Sequence, residues 1–316
     1  MCGSSAGYYA QELRRAGARA NIIAVREDAL GTRTLPGEAL VHLAGADAII
    51  SIARWLSPDI VAACPRLTWF QCLISGTEHL DDLLRGRDII LTNGRGIQGT
   101  QMSELAILDM LVHMRQVPRM VLSQAAHRWD RVPPRVLRGR TVTILGVGEI
   151  AGDLARLCKA FGMATIGVSR TPRDVPGFDE VVARDAMPAA VGRADFVVVL
   201  LPLTPENRGA VGREVLAAMK PEAGLINIAR GGVVDEDALA EALRARSIAY
   251  AGLDVFQTTP LPPESPLWEM DNVFITCHVG GRRDRYDEDA LSFVVPNVEA
   301  FASGRLDRMI NVVTLD

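Results

Sequence analysis

The stretch "TVTILGVGEIAGDLARL", residues 141–157, decides how the chain is read. Its first five residues form a β-rich apolar run of strand length, and from about residue 149 the apolar spacing is that of an amphipathic helix. Between the two stand Gly146, Gly148 and Ala151, in G-x-G-x-x-A spacing. A lone motif of this kind says little, because any tight strand-to-helix turn favours glycine. Placed after a strand and before a helix, it points to dinucleotide binding. Gly146 permits the turn, Gly148 lets a pyrophosphate approach the backbone, and the helix N-terminus offers the positive end of its dipole.

The same alternation continues outward. "ATIGV" (164–168), "FVVVLL" (196–201), "GLINI" (224–228), "YAGLDV" (250–255) and "NVFIT" (272–276) read as strands, with helices over about 149–161, 212–219 and 235–246 between them. The last helix opens on Asp235 and closes on Arg244 and Arg246, matching the helix dipole at both ends. Short apolar strands alternating with amphipathic helices predict a doubly wound parallel sheet. Before residue 100 the pattern repeats on a smaller scale in "NIIAV" (21–25), "DAIIS" (47–51), "LTWFQCL" (67–73) and "DIILT" (88–92), a second α/β unit. A helix over roughly 100–115 leads to the larger unit. The segment after about 283 is helical again and is expected to return to the first. The expected domains are 1–101 with 284–316, and 102–283, with a cleft between them.

Composition excludes several classes. The 316 residues are 48% hydrophobic and 23% charged, with a formal net charge of -4, as in an ordinary soluble globular protein. No basic excess points to nucleic acid or to an anionic membrane surface. The apolar runs fall far short of the roughly 18 residues of a membrane span. The opening "MCGSSAGYYAQELRR" lacks the basic and long apolar regions of a secretory signal, so a cytoplasmic address is expected. Five scattered cysteines form no CxxC pair, and His42, His79, His113 and His127 have no metal-ligand spacing, so no metal or disulfide framework is expected.

The strand after the glycine turn ends in "GVSRTPR" (167–173). An acid there would bind the ribose 2'-hydroxyl of NAD; this chain has Ser169, then Arg170 and Thr171, with Arg173 nearby. Hydroxyls and guanidinium groups suit a 2'-phosphate, and NADPH is expected over NADH. Three further stretches end predicted strands, where an open α/β sheet places its ligand crevice: "NIARGGVVDE" with Arg230, "GLDVFQTTP" with Asp254 and Thr259, and "TCHVGG" with His278.

Taken with "LISGTEHLD" (73–81), "MSELAILDMLVHMR" (102–115), "VVVLLPLTPENRGAVG" (197–212) and "MKPEAGLINIARGGVVDEDALAEAL" (219–243), these stretches resemble, in order, the D-isomer-specific 2-hydroxyacid dehydrogenases. That family includes glyoxylate and hydroxypyruvate reductases, D-lactate dehydrogenase and phosphoglycerate dehydrogenase. The resemblance implies two Rossmann-like doubly wound parallel-sheet domains around a cleft. It also implies hydride transfer between NAD(P) and a small 2-oxo or 2-hydroxy acid, and a homodimer that uses the arm "HRWDRVPPR" (127–135). Reducing a 2-oxo acid requires a cation for the carboxylate, a hydride donor held against the carbonyl carbon, and an acid for the developing alkoxide. By resemblance Arg230 binds the substrate carboxylate, helped by backbone groups of Ser75 and Gly76. His278 exchanges the proton, and Asp254 meets the nicotinamide carboxamide or, alternatively, caps a strand end. Arg95 and Met102 fall near the expected cleft. Glu149, Ile150, Leu201, Pro202, Asn207, Ile228, Ala229, Gly280 and Gly281 complete the implied cofactor contacts.

One position departs from the pattern. The family's histidine is paired with a glutamate that falls at position 259, where this chain has Thr259. A hydroxyl can accept a hydrogen bond from the imidazole but brings no negative charge to hold its proton. A rival from another class is a nucleotide-sensing binding protein that has lost turnover, like the family's corepressor relatives. Within the enzyme reading three accounts compete: Glu264 stands in for the acid; the enzyme is slower or works at lower pH, with Thr259 only holding the ring; or the chain has left ordinary dehydrogenase chemistry, as relatives such as formate dehydrogenase pass hydride with a neutral glutamine at this position. The second leads. Cys277 also replaces a common proline, and the family's first strand is not recognisable before "YYAQELRRAG", so a shortened or divergent amino end is expected. Trp268 is read as a packing residue of its loop.

Overall fold

The computed structural model describes residues 5–25, 37–77, 80–131 and 133–314. Its strands are β1 (Ala48–Ser51), β2 (Trp69–Cys72), β3 (Ile90–Thr92), β4 (Thr141–Leu145), β5 (Ala164–Ser169), β6 (Glu180–Ala183), β7 (Phe196–Val199), β8 (Gly224–Asn227), β9 (Tyr250–Leu253), β10 (Val273–Ile275) and β11 (Val312–Val313). The chain divides into two compact units, residues 1–97 with 283–316, and residues 98–282.

The larger unit is a seven-stranded sheet in the order β10-β9-β8-β7-β4-β5-β6, parallel throughout. The order reverses between β4 and β7, and ligand crevices of doubly wound sheets open at such a point beyond the carboxyl ends of the strands. Both faces are covered. One core holds Val197, Val199, Leu225, Leu239 and Leu243, and the other Ile144, Leu154, Val198, Ile226 and Met110. Strands buried on both faces read as unbroken apolar runs, which is why β4, β5, β7 and β8 stand out in the sequence. β6 does not: its four residues are all only half-buried, at the sheet edge.

The helix Gly99–Arg115 packs on β8 and β9 and carries the half-buried His113 and the buried Asp109. His113 stacks on Tyr250, ring centroids 4.8 Å apart, and burial together with the neighbouring Arg135 guanidinium pulls it down to about 4, so it is neutral at physiological pH. It is a packing residue. Asp109 is 1% exposed beneath Gly252, where a Cβ would come within 2.6 Å of its carboxyl carbon.

In the smaller unit β1, β2 and β3 run parallel, and β11 adds to β3 antiparallel. The C-terminal helix Tyr286–Ala302 sets Phe293, Val294 and Val298 against Tyr9, Leu13, Ile50 and Trp69. A buried polar chain ties these pieces: the Trp69 indole N–H donates to Thr92 at 2.9 Å, Thr92 donates to the Gln71 side chain at 2.8 Å, and the Asn297 amide donates to that same Gln71 oxygen at 2.8 Å. The expected strand over 21–25 is not formed. That run is exposed or half-buried with one isolated bridge residue, so its apolar side chains do not gain the burial that holds a strand in a sheet. Among the described residues no helix is long and apolar enough to cross a membrane, and no group of side chains has metal-binding geometry.

Candidate active site

Gly146 follows β4 with φ +100°, and a Cβ there would lie 2.9 Å from the Leu200 carbonyl oxygen, so the turn requires glycine. Gly148 is the N-cap of the helix Glu149–Ala160 and has no side chain to satisfy the first N–H groups. A Cβ on Gly148 would meet nothing within 4 Å, which leaves an open approach to those donors. Residues of this kind fit a dinucleotide pyrophosphate. Ser169 ends β5 half-buried; Arg170 and Thr171 are exposed, and Arg173 reaches back to the Val147 carbonyl at 3.0 Å. On the other side of the reversal point, Leu201 and Pro202 follow β7. The Asn207 amide, buried, closes their loop on the Pro202 carbonyl at 3.0 Å.

Arg230 is aimed by the turn beyond β8. The side chain of Asn227, 1% exposed, accepts from the Ala229 N–H at 3.2 Å and donates to the Arg230 carbonyl at 3.2 Å. Ile228 and Ala229 are buried between these points. A Cβ on Gly231 would come 1.9 Å from the carbonyl carbon of Phe256, so the turn lies flush on the end of β9 only because that residue is glycine.

His278 sits in the left-handed region, φ +54°, and one residue holds it there. Asp254, 1% exposed, accepts the Thr276 hydroxyl at 2.6 Å and the Val279 N–H at 2.9 Å on Oδ1, and the Gly280 N–H at 3.0 Å on Oδ2. Its own carbonyl accepts the His278 N–H at 3.0 Å. A carboxylate that accepts several such bonds in a buried position makes strong ties. Beneath the loop, a Cβ on Gly280 would lie 2.9 Å from Leu105 and 3.1 Å from the sulfur of Met102, and Gln101 donates to the Gly281 carbonyl at 3.3 Å. Met102 is thus a buried support of this loop.

Arg230, Thr259 and His278 line one cavity of about 590 Å³ in the larger unit, together with Leu203, Arg208, Asp235, Phe256 and Gln257. Thr259 is exposed, and its hydroxyl donates to the Phe256 carbonyl at 3.4 Å. Among the described residues no hydrogen bond joins it to the imidazole. Glu264 is exposed and is not among the lining residues; nearby, the Trp268 indole N–H closes the loop on the Pro262 carbonyl at 3.0 Å. Asp235 caps the helix Glu236–Arg244 by accepting the Ala238 N–H at 3.0 Å. Ser75, Gly76 and Arg95 belong to the smaller unit. The first two are half-buried beyond β2, where the Ser75 carbonyl accepts the Asn93 amide at 3.0 Å, and Arg95 is exposed beyond β3.

The profile of the NAD binding domain of D-isomer specific 2-hydroxyacid dehydrogenases matches residues 107–280. The chain belongs to that family. A D-3-phosphoglycerate dehydrogenase of Methanocaldococcus jannaschii is 31% identical over 92% of this chain, which spans only 56% of that relative's length. A family protein of Aeromonas salmonicida subsp. salmonicida superposes with a TM-score of 0.88 at 32% identity, covering 100% of this chain and 98% of its own. An NADPH-dependent glyoxylate/hydroxypyruvate reductase of Sinorhizobium meliloti, in complex with NADP and sulfate, superposes with a TM-score of 0.81 at 28% identity, covering 98% and 95%. The turn residue Asn227 and the fourfold tie made through Asp254 are not apparent from the sequence; their only signal is a polar residue at the end of a buried strand.

Proposed function

We propose that the chain is an NAD(P)-dependent 2-hydroxyacid dehydrogenase that works as a reductase of small 2-oxo acids and prefers NADPH. The observation that carries this reading is the convergence of Arg230 and His278 on one cavity beyond the carboxyl ends of β8 and β10. Arg230 offers the substrate carboxylate a planar pair of donors. His278 gives its proton to the carbonyl oxygen as the alkoxide develops and recovers it in the oxidative direction. A nicotinamide cofactor held at Gly146, Gly148, Glu149 and Ile150 supplies the hydride. Ser169, Arg170 and Thr171 supply hydroxyl and guanidinium donors where an acid would repel a 2'-phosphate, and the S. meliloti relative carries NADP. Asp254 fixes the turn that carries His278; whatever it offers the carboxamide is added to that task. Two copies of the chain pair through the arm at 127–135, where Trp129 is 90% exposed.

The absence of a bond between Thr259 and His278 favours a second reading, a nucleotide-sensing protein that has lost turnover. NADPH absorbance with a panel of 2-oxo acids from pH 5 to 8 separates the two. The reductase reading expects oxidation that is fastest toward the acidic end. Tight NADPH binding without oxidation on any member of the panel supports the sensor.

A further inference from the structure

The cavity of the larger unit is lined by two guanidinium groups, Arg208 and Arg230, and one carboxylate, Asp235. Arg208 lines it with Arg230, Gly232, Gln257, Thr259 and His278. The two glycines after Arg230 set Arg208 in place. Gly231 lets the turn lie on the Phe256 backbone, and a Cβ on Gly232 would stand 3.4 Å from Arg208 Nη1 and 3.2 Å from Leu203 Cδ1. The Arg208 guanidinium therefore rests against the same turn that begins at Arg230. Among the described residues the Arg208 side chain has neither an ion pair nor a hydrogen bond, while its backbone N–H donates to the Thr204 carbonyl at 3.0 Å. Asp235 is the one carboxylate among the lining residues, and it caps a helix; Thr259 contributes no charge.

We propose that Arg208 holds a second carboxylate on the substrate, so that the site selects 2-oxo diacids over 2-oxo monoacids. The proposal rests on the reductase reading above and deepens it. A monoanion on Arg230 leaves the exposed Arg208 guanidinium to solvent, whereas a diacid gives each guanidinium a carboxylate to grip in bidentate fashion. A cavity of about 590 Å³ has room for a chain of four or five carbons with an acid at each end. Substitution of threonine at position 259 acts in the same direction, because an acid there would repel the second carboxylate.

The test is titration calorimetry on the full chain saturated with NADP, whose oxidised ring has no hydride to give, so binding is read without turnover. 2-Oxoglutarate is compared with 2-oxobutyrate on the unmodified protein, Arg208→Gln and Arg208→Lys. The proposal expects the unmodified protein to bind the diacid at least tenfold more tightly. Arg208→Gln should lose that preference while leaving 2-oxobutyrate and NADP within about twofold, and Arg208→Lys should restore part of it. Equal affinity of the unmodified protein for the two acids would overturn the proposal, as would equal losses on both acids in Arg208→Gln. A loss confined to NADP would assign Arg208 to the cofactor instead. Diacid preference in binding, with no NADPH oxidation by any 2-oxo acid, would retire the reductase reading and leave the assignment of Arg208 standing. Oxidation of 2-oxo acids without diacid preference would do the reverse.

Discussion

Two loops leave neighbouring strands of one sheet and are held in different ways. The loop beyond β10, which carries His278, is tied to Asp254 through three bonds to its carboxylate and one to its carbonyl, over a glycine that no other residue can replace without displacing Leu105 or Met102. The loop beyond β9, which carries Thr259, is exposed from Gln257 to Pro260, and among the described residues the Thr259 hydroxyl reaches only the Phe256 carbonyl. The contrast separates two jobs usually credited to a histidine's partner. Aim comes from Asp254, through the backbone. Thr259 lines the same cavity and brings it no charge. The position of His278 is therefore set without any contribution from Thr259.

The first way to sharpen the comparison is to alter the buried acid beneath β9, the strand that leads into Asp254. Burial pushes the Asp109 carboxyl up to about 7, its Oδ2 has no hydrogen-bond partner among the described residues, and Tyr250 reaches Oδ1 at only 3.4 Å. An unfolded carboxyl titrates near ~3.9. The folded state therefore prefers the neutral acid: this group's stabilising contribution is full below about pH 4 and is lost as pH rises through 7. Asp109→Asn should raise the unfolding free energy by on the order of 4 kcal/mol at pH 8 and by almost nothing at pH 4, read by urea unfolding. A gain that does not depend on pH would mean that the carboxyl is not held neutral.

Asp254→Ala attacks the tie itself. With the turn released, His278 loses its aim, and kcat/KM should fall about a hundredfold with the fold intact by circular dichroism. A rate within about threefold of the parent would show that the turn holds its shape without the carboxylate. Thr259→Glu restores charge to the exposed loop. Reduction should rise about tenfold near neutral pH, and the decline of rate with rising pH should move to higher pH. An unchanged or lower rate would show a site rebuilt around threonine. Thr259→Ala is the smallest change: its hydroxyl serves Phe256, so the pH profile should stay in place and kcat should move less than about twofold.

Much of this was legible because the sheet is buried on both faces. Apolar runs such as "FVVVLL" have no other stable place, and Arg230, Asp254 and His278 follow directly from strand ends. The two-residue strand β11 and the half-buried edge strand β6 carry too little apolar pattern to be read. "NIIAV" misled for the opposite reason, since an apolar run without burial does not become a strand. At the site, Thr259 was visible as a departure, but its hydroxyl's actual partner was not, nor were the bonds that aim His278. Those bonds run from backbone N–H groups, which every residue type except proline has, and so leave no trace in residue identity. Arg208 was invisible as a lining residue because it comes from a loop whose course depends on two glycines more than twenty residues away.

A crystal structure of the chain with NADP and oxamate bears on the account most directly. It should place the Arg230 guanidinium on the oxamate carboxylate and the His278 imidazole within roughly 3 Å of the amide oxygen that stands in for the reacting carbonyl, with the Asp254 ties unchanged. Oxamate bound away from Arg230, or an imidazole turned away from that oxygen, would contradict it.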